Sequence, residues 1–386
     1  MRKRRVVILG ATGSIGESAQ KVARDIPERM EIVGMSAHSN ADKLHAAAKE
    51  FPNAKLAISS GPDGVERLVE LATLPEADLV LIAIVGTGGL RPALAAIEAG
   101  KDIAVASKEI LVMAGEAVMT AARRKGVTVL PVDSEHNAIF QCLEAAKDEG
   151  GRMKDESSGP AARSSSSFPT VRRLILTASG GPFRQMPAEQ LAHVTVEQAL
   201  KHPTCTMGAK ITIDSATLFN KGLEMIEARW LFDVEMARVE VIVHPQSIVH
   251  SMVEFIDSSI LAQLSTTDMC FPIQYAVTYP ERVPNSLPPL DFAKLAKLEF
   301  EAPRIADFPA LSLARTAGET GGTLPAVLNA ANEIAVATFL QRRCAFPAIW
   351  ETVARVMSEH RSIAGADLDA ILSADSWART RAAELL

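Results

Sequence analysis

An aliphatic segment followed by three evenly spaced glycines is the feature that most constrains the fold. Residues 6–9 are all aliphatic, residues 17–24 have helical character, and between them stand Gly10, Gly13 and Gly16. A buried strand, a glycine turn and a helix form the phosphate-binding opening of a dinucleotide fold, because glycines let the backbone approach the pyrophosphate. The spacing is GxxGxxG rather than GxGxxG, so a plain tight turn stays open as the alternative to nucleotide binding.

Aliphatic segments continue to alternate with helical ones. Alternating strands and helices with solidly apolar strands predict a doubly wound, Rossmann-like parallel sheet in an α/β fold. After the first strand, the expected strands are 31–36, 54–58, 78–84, 102–106 and 127–132, and the expected helices are 41–51, 90–99 and 109–124.

Composition narrows the class of protein. The chain has 386 residues, which suits two or three domains, and its net charge of −6 argues against general nucleic-acid binding. The basic start is not followed by a signal-peptide core, and the longest apolar run, near 79–85, is too short to span a membrane. The four cysteines form no CxxC pair, which fits reduced thiols in a cytoplasmic protein.

Two strand ends carry polar side chains of interest. Residues 37–40 end the second strand without the acid that grips the ribose of NAD, so NADP is favoured. Ser107, Lys108 and Glu109 follow a later strand, at the edge where open α/β sheets bind ligands, although a solvated helix cap is the alternative.

Asp133 and Glu135 follow the strand at 127–132. If the strand continues through them, both carboxylates point to one side and suit a hard cation such as Mg²⁺ or Mn²⁺. The alternative is that Ser134 caps the following helix, whose N-terminus favours acids.

The middle of the chain changes character. Residues 150–169, with serines at 164–167, resemble a flexible insertion, and residues 171–178 predict a strand. After that strand, Ser179 and two glycines either bind an anion or form a structural turn. His202 lies in a polar loop at 201–208, which suits a mobile cover over a site, and a purely structural histidine is the alternative.

Residues 214–224 concentrate polar groups on one helix. Asn220, Lys221 and Glu224 are neighbours at helical spacing, and Ser215 lies at the expected helix start. Together they suit a phosphate, and Glu224 adds a carboxylate for a metal. An ordinary surface pair of Lys221 with Glu224 is the alternative, but Gly222 inside the helix indicates close approach by another group.

The remaining segments predict a second, mixed sheet and a helical end. Strands are expected in 240–255 and 259–264, an irregular connector in 272–303, and a small helical bundle from residue 310 onwards. His244 and His250 are rejected as a metal pair because six residues of extended strand separate them by about 20 Å.

Taken together, these motifs resemble one family, 1-deoxy-D-xylulose 5-phosphate reductoisomerase of the non-mevalonate isoprenoid pathway. The markers are the segments 10–16, 107–109, 131–137, 179–184, 214–224 and 244–247, and the resemblance covers nearly the whole chain.

The resemblance implies a role for each matching residue. The metal, Mg²⁺, Mn²⁺ or Co²⁺, would be held by Asp133, Glu135 and Glu224. The substrate phosphate would be bound by Ser179, Ser215, Asn220 and Lys221, the sugar by Lys108 and Ser134, with His202 on the closing loop. The NADPH site would be lined by Thr12, Gly13, Ser14, Ile15, His38, Asn40, Ser107, Glu109 and Gly208.

The implied reaction joins a rearrangement to a reduction. The metal would act on the carbonyl and neighbouring hydroxyl of 1-deoxy-D-xylulose 5-phosphate during a retro-aldol/aldol step. NADPH would then reduce the branched aldehyde to 2-C-methyl-D-erythritol 4-phosphate.

The implied architecture is a homodimer of three-domain chains. The expected division is an NADPH-binding domain at 1–149, a catalytic domain at 150–283 with a mobile loop at 199–209, a connector at 284–309 and a helical domain at 310–386.

The sequence departs from the family pattern at several positions. Cys205 stands where the loop commonly has tryptophan, and Ser107 stands where asparagine is usual. His38 and Ser39 replace a glycine–lysine pair, and residues 157–167 resemble an insertion. A different NADP-dependent dehydrogenase and a nucleotide-binding sensor without activity are the rival interpretations.

Overall fold

The computed structural model describes residues 3–149, 170–203 and 207–386. The serine-rich insertion and Cys205 of the loop, both singled out above, lie outside these residues. The strands are β1 Arg4–Leu9, β2 Met30–Ala37, β3 Lys55–Ile58, β4 Leu79–Ile82, β5 Asp102–Val105, β6 Val129–Pro131, β7 Val171–Ala178, β8 Val239–Val243, β9 Val249–Phe255 and β10 Ile260–Leu264.

Helices account for most of the remaining described chain. They are α1 Ser14–Asp25, α2 Ala41–Ala48, α3 Gly64–Ala72, α4 Leu90–Glu98, α5 Lys108–Lys125, α6 Ser134–Glu149, α7 Val196–Ala199, α8 Ala209–Thr217, α9 Phe219–Phe232, α10 Cys270–Thr278, α11 Phe292–Leu295, α12 Ala310–Thr320, α13 Leu324–Leu340, α14 Ala348–Glu359 and α15 Leu368–Leu385. Among the described helices, none is long and apolar enough to cross a membrane.

The described residues form two compact units. The first comprises 3–110, 116–149 and 266–290, and the second comprises 111–115, 170–203, 207–265 and 291–386. The three-domain boundaries expected from the sequence stay a prediction.

The first unit is built on a parallel sheet of six strands in the order β3-β2-β1-β4-β5-β6. This order, which reverses direction beside β1, is that of a dinucleotide-binding fold. Its core is aliphatic, with Val6, Ile8, Leu79 and Leu81 buried. The predicted doubly wound sheet is confirmed, and α3 is a helix that the sequence pattern did not reveal.

The second unit contains a mixed sheet in the order β10-β9-β7-β8. β7 runs parallel to β8 and antiparallel to β9, and β9 and β10 form a hairpin, as expected. In the helical part, edge-on aromatic contacts join Phe346 to Phe183, Phe339 and Trp350, at centroid distances of 5.2, 5.5 and 5.4 Å. The mixed sheet and the helical C-terminal segment are both confirmed.

Three sequence-based expectations of secondary structure are wrong. Ser215, expected at a helix start, lies in the last turn of α8, because Leu218 ends that helix and α9 begins at Phe219. The connector expected at 272–303 begins inside α10, because Pro272 stands in the first turn of that helix, where a backbone N–H has no intrahelical partner anyway. The strand before Asp133 does not continue through Glu135, because β6 ends at Pro131 and α6 begins at Ser134.

Candidate functional site

The glycine turn after β1 is sterically required. Gly10 has a φ of +96°, and a Cβ there would lie 2.4 Å from the carbonyl oxygen of Ala83. A Cβ at Gly16 would lie 2.4 Å from the carbonyl oxygen of Gly10. Gly13 precedes α1 without capping it through a side chain, so backbone N–H groups remain at this helix start, beside Ser14 and Ile15. Such a start suits a phosphate group.

The end of β2 carries neutral polar groups. Nδ1 of His38 lies 3.3 Å from the hydroxyl of Ser59, and the Asn40 side chain caps α2 by accepting from the backbone N–H of Lys43 at 3.0 Å. The Lys43 ammonium donates to the carbonyl oxygen of Thr12 at 2.9 Å. A cation therefore lies at the glycine turn, which the sequence interpretation missed. Its only sequence signal is a lysine three residues after a helix cap.

Ser107, Lys108 and Glu109 follow β5 and begin α5. All three are buried, so the solvated cap considered for them is wrong. The Ser107 hydroxyl donates to the carbonyl oxygen of Ile84, which fixes it against the end of β4. The Lys108 ammonium lies 2.8 Å from a carboxylate oxygen of Asp133.

The cap considered for Ser134 is wrong, because α6 begins at Ser134 itself and Asp133 is the residue that precedes the helix. The carbonyl oxygen of Asp133 accepts the first backbone bond of α6, from Asn137 at 2.9 Å, while its side chain faces Lys108. One of its carboxylate oxygens lies within 4.8 Å of one from Glu135. The Ser134 hydroxyl donates to Glu135 at 2.5 Å. The two carboxylates thus converge across one helix turn rather than along a strand, and their oxygens are suitable ligands for a hard cation.

In the second unit, Ser179, His202 and Ser215 converge. Nε2 of His202 lies 3.0 Å from the Ser179 hydroxyl and 3.1 Å from that of Ser215, and the two hydroxyls are 3.5 Å apart. Burial lowers the pKa of His202 from its ordinary value of 6.5, so its ring is neutral near pH 7. Hydroxyls and a neutral imidazole offer donors to an anion.

The two glycines after Ser179 allow this convergence. Gly180 and Gly181 have φ values of +82° and +66°, and a Cβ at Gly181 would lie 2.8 Å from the carbonyl oxygen of Ser215. The backbone N–H of Gly181 donates to the Ser179 hydroxyl at 3.2 Å. The turn is therefore structural, and it also holds Ser179 beside Ser215.

The corner between α8 and α9 positions a second polar group. Leu218 has a φ of +66°, which is strained for a branched residue, and it turns the chain so that Asn220, Lys221 and Glu224 share the start of α9. Glu224 accepts from Nδ2 of Asn220 at 2.6 Å and from Nζ of Lys221 at 2.5 Å. The side chains of Lys221 and Glu224 are 5% and 1% exposed, so the surface-pair alternative is wrong.

Gly222 was expected to mark close approach by another group. A Cβ there would lie 2.8 Å from Cβ of Ala314 and 3.1 Å from the carbonyl oxygen of Ala310. The group is therefore helix α12, and the glycine serves packing within the second unit.

A buried carboxylate beside Ser215 escaped the sequence interpretation. Asp214 accepts from Nδ2 of Asn332 at 2.8 Å and pairs with Nζ of Lys210 at 2.7 Å. The lysine stands four residues earlier on α8, a recognisable spacing, but the asparagine lies on α13 and gives no local signal. Asp214 thus ties α8 to α13.

Two further residues singled out in the sequence are Gly208 and His244. Gly208 precedes α8 in the second unit, with open space where a Cβ would stand. His244 is fully buried: its Nδ1 donates to the carbonyl oxygen of Glu299 at 2.8 Å, and its Nε2 accepts from the backbone N–H of Ile248 at 3.2 Å. Both ring nitrogens are engaged by backbone groups, which agrees with the rejection of a metal pair.

Comparison with known families gives one consistent result. Residues 6–63 and 54–115 match 1-deoxy-D-xylulose 5-phosphate reductoisomerase, residues 129–232 match the C-terminal domain of that reductoisomerase, and residues 264–381 match a DXP reductoisomerase C-terminal domain.

Full-length relatives agree with the family match. The 1-deoxy-D-xylulose 5-phosphate reductoisomerase of Pelotomaculum thermopropionicum is 47% identical, covering 99% of this chain and 98% of that protein. The solved structure of the Zymomonas mobilis enzyme in complex with NADPH has a TM-score of 0.87 and 41% identity, covering 100% and 99% of the two chains. A DOX-P reductoisomerase structure with NADPH, fosmidomycin and magnesium has a TM-score of 0.90 and 40% identity, covering 99% and 98%. The chain belongs to the 1-deoxy-D-xylulose 5-phosphate reductoisomerase family.

Proposed function

We propose that this chain converts 1-deoxy-D-xylulose 5-phosphate into 2-C-methyl-D-erythritol 4-phosphate, with NADPH as reductant and a divalent metal. The observation that carries the proposal is the match along 99% of the chain to a reductoisomerase. Solved relatives of similar length hold NADPH and magnesium. The reaction is a carbon-skeleton rearrangement followed by hydride transfer, so it needs a cofactor site, a metal site and a phosphate site.

NADPH is assigned to the glycine turn and the strand ends near it. The glycine turn supports this assignment, since its backbone N–H groups suit the pyrophosphate, and residues 37–40 at the end of β2 contain no acid. NADPH supplies the hydride for the reduction. The family resemblance assigns to it Thr12, Gly13, Ser14, Ile15, His38, Asn40, Ser107, Glu109 and Gly208.

Asp133, Glu135 and Glu224 are assigned to the metal. The donor chemistry fits Mg²⁺ or Mn²⁺, because the carboxylates of Asp133 and Glu135 converge within 4.8 Å and offer hard oxygen ligands. When bound, the metal supplies Lewis-acid polarisation of the substrate oxygens. Lys108 holds Asp133 in place through its ion pair and, with Ser134, is assigned to the sugar hydroxyls.

The substrate phosphate is assigned to the second unit. Ser179, Ser215 and His202 already converge there, and Lys221 adds a buried positive charge beside Asn220. The phosphate is remote from the reacting carbons, but fixing it keeps those carbons oriented. Its binding energy therefore supports the rearrangement. Residues 199–209, which include His202, are assigned to a closing loop.

A homodimer is the proposed assembly. β10 is an edge strand of the mixed sheet and exposes Ile260 and Leu261. Within the described residues β10 pairs with β9 alone, and an apolar strand edge of this kind is a template for pairing with a second copy. Sedimentation of the wild type and of Leu261→Lys tests this: we expect a dimer that the substitution weakens, and a wild-type monomer contradicts it.

The buried cysteine thiols support a proposed cytoplasmic location. Burial raises the pKa values of Cys142 and Cys270 to about 12, so these thiols stay protonated and unreactive. They are suited to a reducing compartment.

Product analysis tests the function. The purified chain is incubated with 1-deoxy-D-xylulose 5-phosphate, NADPH and Mg²⁺, with and without a strong chelator, and the products are identified by NMR spectroscopy. We expect the branched polyol phosphate only in the reaction without chelator. Reduction without rearrangement that survives the chelator would favour another dehydrogenase, and cofactor binding without any turnover would favour a sensor.

A further inference from the structure

The end of β2 decides between NAD and NADP in dinucleotide folds. An acid there accepts hydrogen bonds from the ribose hydroxyls of NAD, whereas a cation accommodates the 2′-phosphate of NADP. Residues 37–40 contain neither an acid nor a lysine or arginine. These four residues therefore provide no lysine or arginine for the phosphate.

Lys43, in the first turn of α2, supplies a cation near the end of β2. Its backbone N–H is held by the Asn40 cap at 3.0 Å, which fixes the first turn of α2. Its ammonium reaches across to the glycine turn and donates to the carbonyl oxygen of Thr12 at 2.9 Å. The charge thus lies between the end of β2 and the turn that receives the pyrophosphate.

The Lys43 ammonium can exchange its carboxylate partner for a phosphate. Its carboxylate partner is Glu17 of α1, with Nζ and Oε1 2.6 Å apart, and both side chains are about half exposed. An exposed ion pair of this kind contributes little stability, so a phosphate dianion can replace the carboxylate at small cost. His38 and Ser59, 3.3 Å apart at the ends of β2 and β3, add further hydrogen-bonding groups on the same strand ends.

We propose that Lys43 is the specificity-determining residue that recognises the 2′-phosphate of NADPH, exchanging Glu17 for that phosphate on binding. The inference rests on the proposed use of NADPH and names the side chain that selects it over NADH. Glu17 becomes a competitor for the same ammonium, so the two residues act in opposite directions.

Cofactor binding without turnover tests this directly. NADPH and NADH are titrated separately, by nicotinamide fluorescence, into the wild type, Lys43→Gln, Glu17→Gln and Lys21→Gln. Lys21 is the matched control, because it lies on α1, is similarly exposed, and pairs with Asp268 at 3.7 Å. We expect Lys43→Gln to weaken NADPH binding about tenfold and NADH binding less than about twofold, as for the loss of one charge-assisted bond.

The remaining variants test whether Glu17 competes with the phosphate for Lys43. Glu17→Gln should tighten NADPH binding about twofold without changing NADH binding, because it removes a competing carboxylate. Lys21→Gln should change neither. Equal weakening of both cofactors in Lys43→Gln would mean that Lys43 only supports the glycine turn, and unchanged NADPH binding would also overturn the proposal. The expected pattern in a protein without turnover would uphold Lys43 while refuting the proposed reaction.

Discussion

The two units present their candidate residues in different ways. In the first unit, Lys108, Asp133 and Glu135 follow the carboxyl ends of parallel strands, and Asp133 remains 12% exposed. In the second unit, Lys221 and Glu224 lie on a helix corner and are almost fully buried as a pair. The first arrangement is a product of sheet topology, since parallel strands end at one edge. The second depends on tertiary packing around Leu218 and Gly222.

The difference has an energetic consequence. A buried ion pair loses most when one partner is removed, because the other charge stays in a poorly solvated place. A carboxylate that water reaches loses less. Loss of one partner should therefore lower the folding stability more for the pair of Lys221 and Glu224 than for the pair of Lys108 and Asp133. Activity should be sensitive to substitution in both pairs.

The largest expected effect is on turnover. Glu224→Gln should lower the metal-dependent rate about a thousandfold or more, because an amide is a poor substitute for a carboxylate ligand of a hard cation. Its NADPH affinity should match the wild type in a fluorescence titration. Asp375→Asn is the control, since Asp375 is also paired with a cation, Arg379 at 2.7 Å, within the second unit. A near-normal rate in Glu224→Gln would remove this residue from the metal site.

The stability comparison is sharpest with two lysine variants. Lys221→Met should lower the free energy of unfolding by about 3–5 kcal/mol, because it removes one side of an ion pair that is 5% and 1% exposed. Lys108→Met should lower it by less, about 2–3 kcal/mol, because its partner Asp133 is 12% exposed whereas Glu224 is 1% exposed. Urea denaturation of both variants measures the difference. Equal losses would show that the two pairs do not differ in the way that their burial indicates.

A moderate effect on substrate affinity is expected from Asp214. Asp214→Asn removes the charge that holds Lys210 while it keeps an acceptor for Asn332, so α8 should hold Ser215 less firmly. We expect KM for the sugar phosphate to rise about fivefold and kcat to change less than about twofold. Steady-state kinetics beside Asp375→Asn provides the comparison. A fall in kcat with KM unchanged would argue against a role in phosphate binding.

The smallest expected effect is a pH dependence of folding. Burial lowers the pKa of His202, so the unfolded chain binds a proton more readily as the pH falls below the ordinary value of 6.5. Stability should therefore decrease from that pH down to the lowered pKa of the folded state. In His202→Gln this part of the slope should be absent, a difference of about one or two degrees in Tm. Parallel Tm curves for the two proteins would contradict the assignment.

Local patterns explain what the sequence predicted well. The glycine turn, the parallel sheet and the hairpin of β9 and β10 follow from periodicity and glycine spacing over short distances. Residue chemistry alone proposed Asp133, Glu135 and Glu224 for a metal and residues 214–224 for a phosphate, but it left caps and surface pairs open as alternatives. The family resemblance selected between these interpretations, since no periodicity distinguishes a ligand from a cap.

The misses have physical causes of two kinds. Helix α10 was missed because Pro272 was treated as a breaker, although a first helical turn tolerates proline. The contacts of Lys43 with Thr12 and of Asp214 with Asn332 join residues 31 and 118 positions apart, which only the folded chain brings together.

Binding of Mn²⁺, followed by electron paramagnetic resonance, tests most directly the proposed assignment of Asp133, Glu135 and Glu224 to a metal. The wild type, Glu135→Gln and Glu224→Gln are titrated, with Asp375→Asn as the control. One Mn²⁺ per chain in the wild type, with affinity lowered at least about tenfold in both glutamine variants, is the expected result. Wild-type affinity in either variant would contradict the assignment of its carboxylate to the metal.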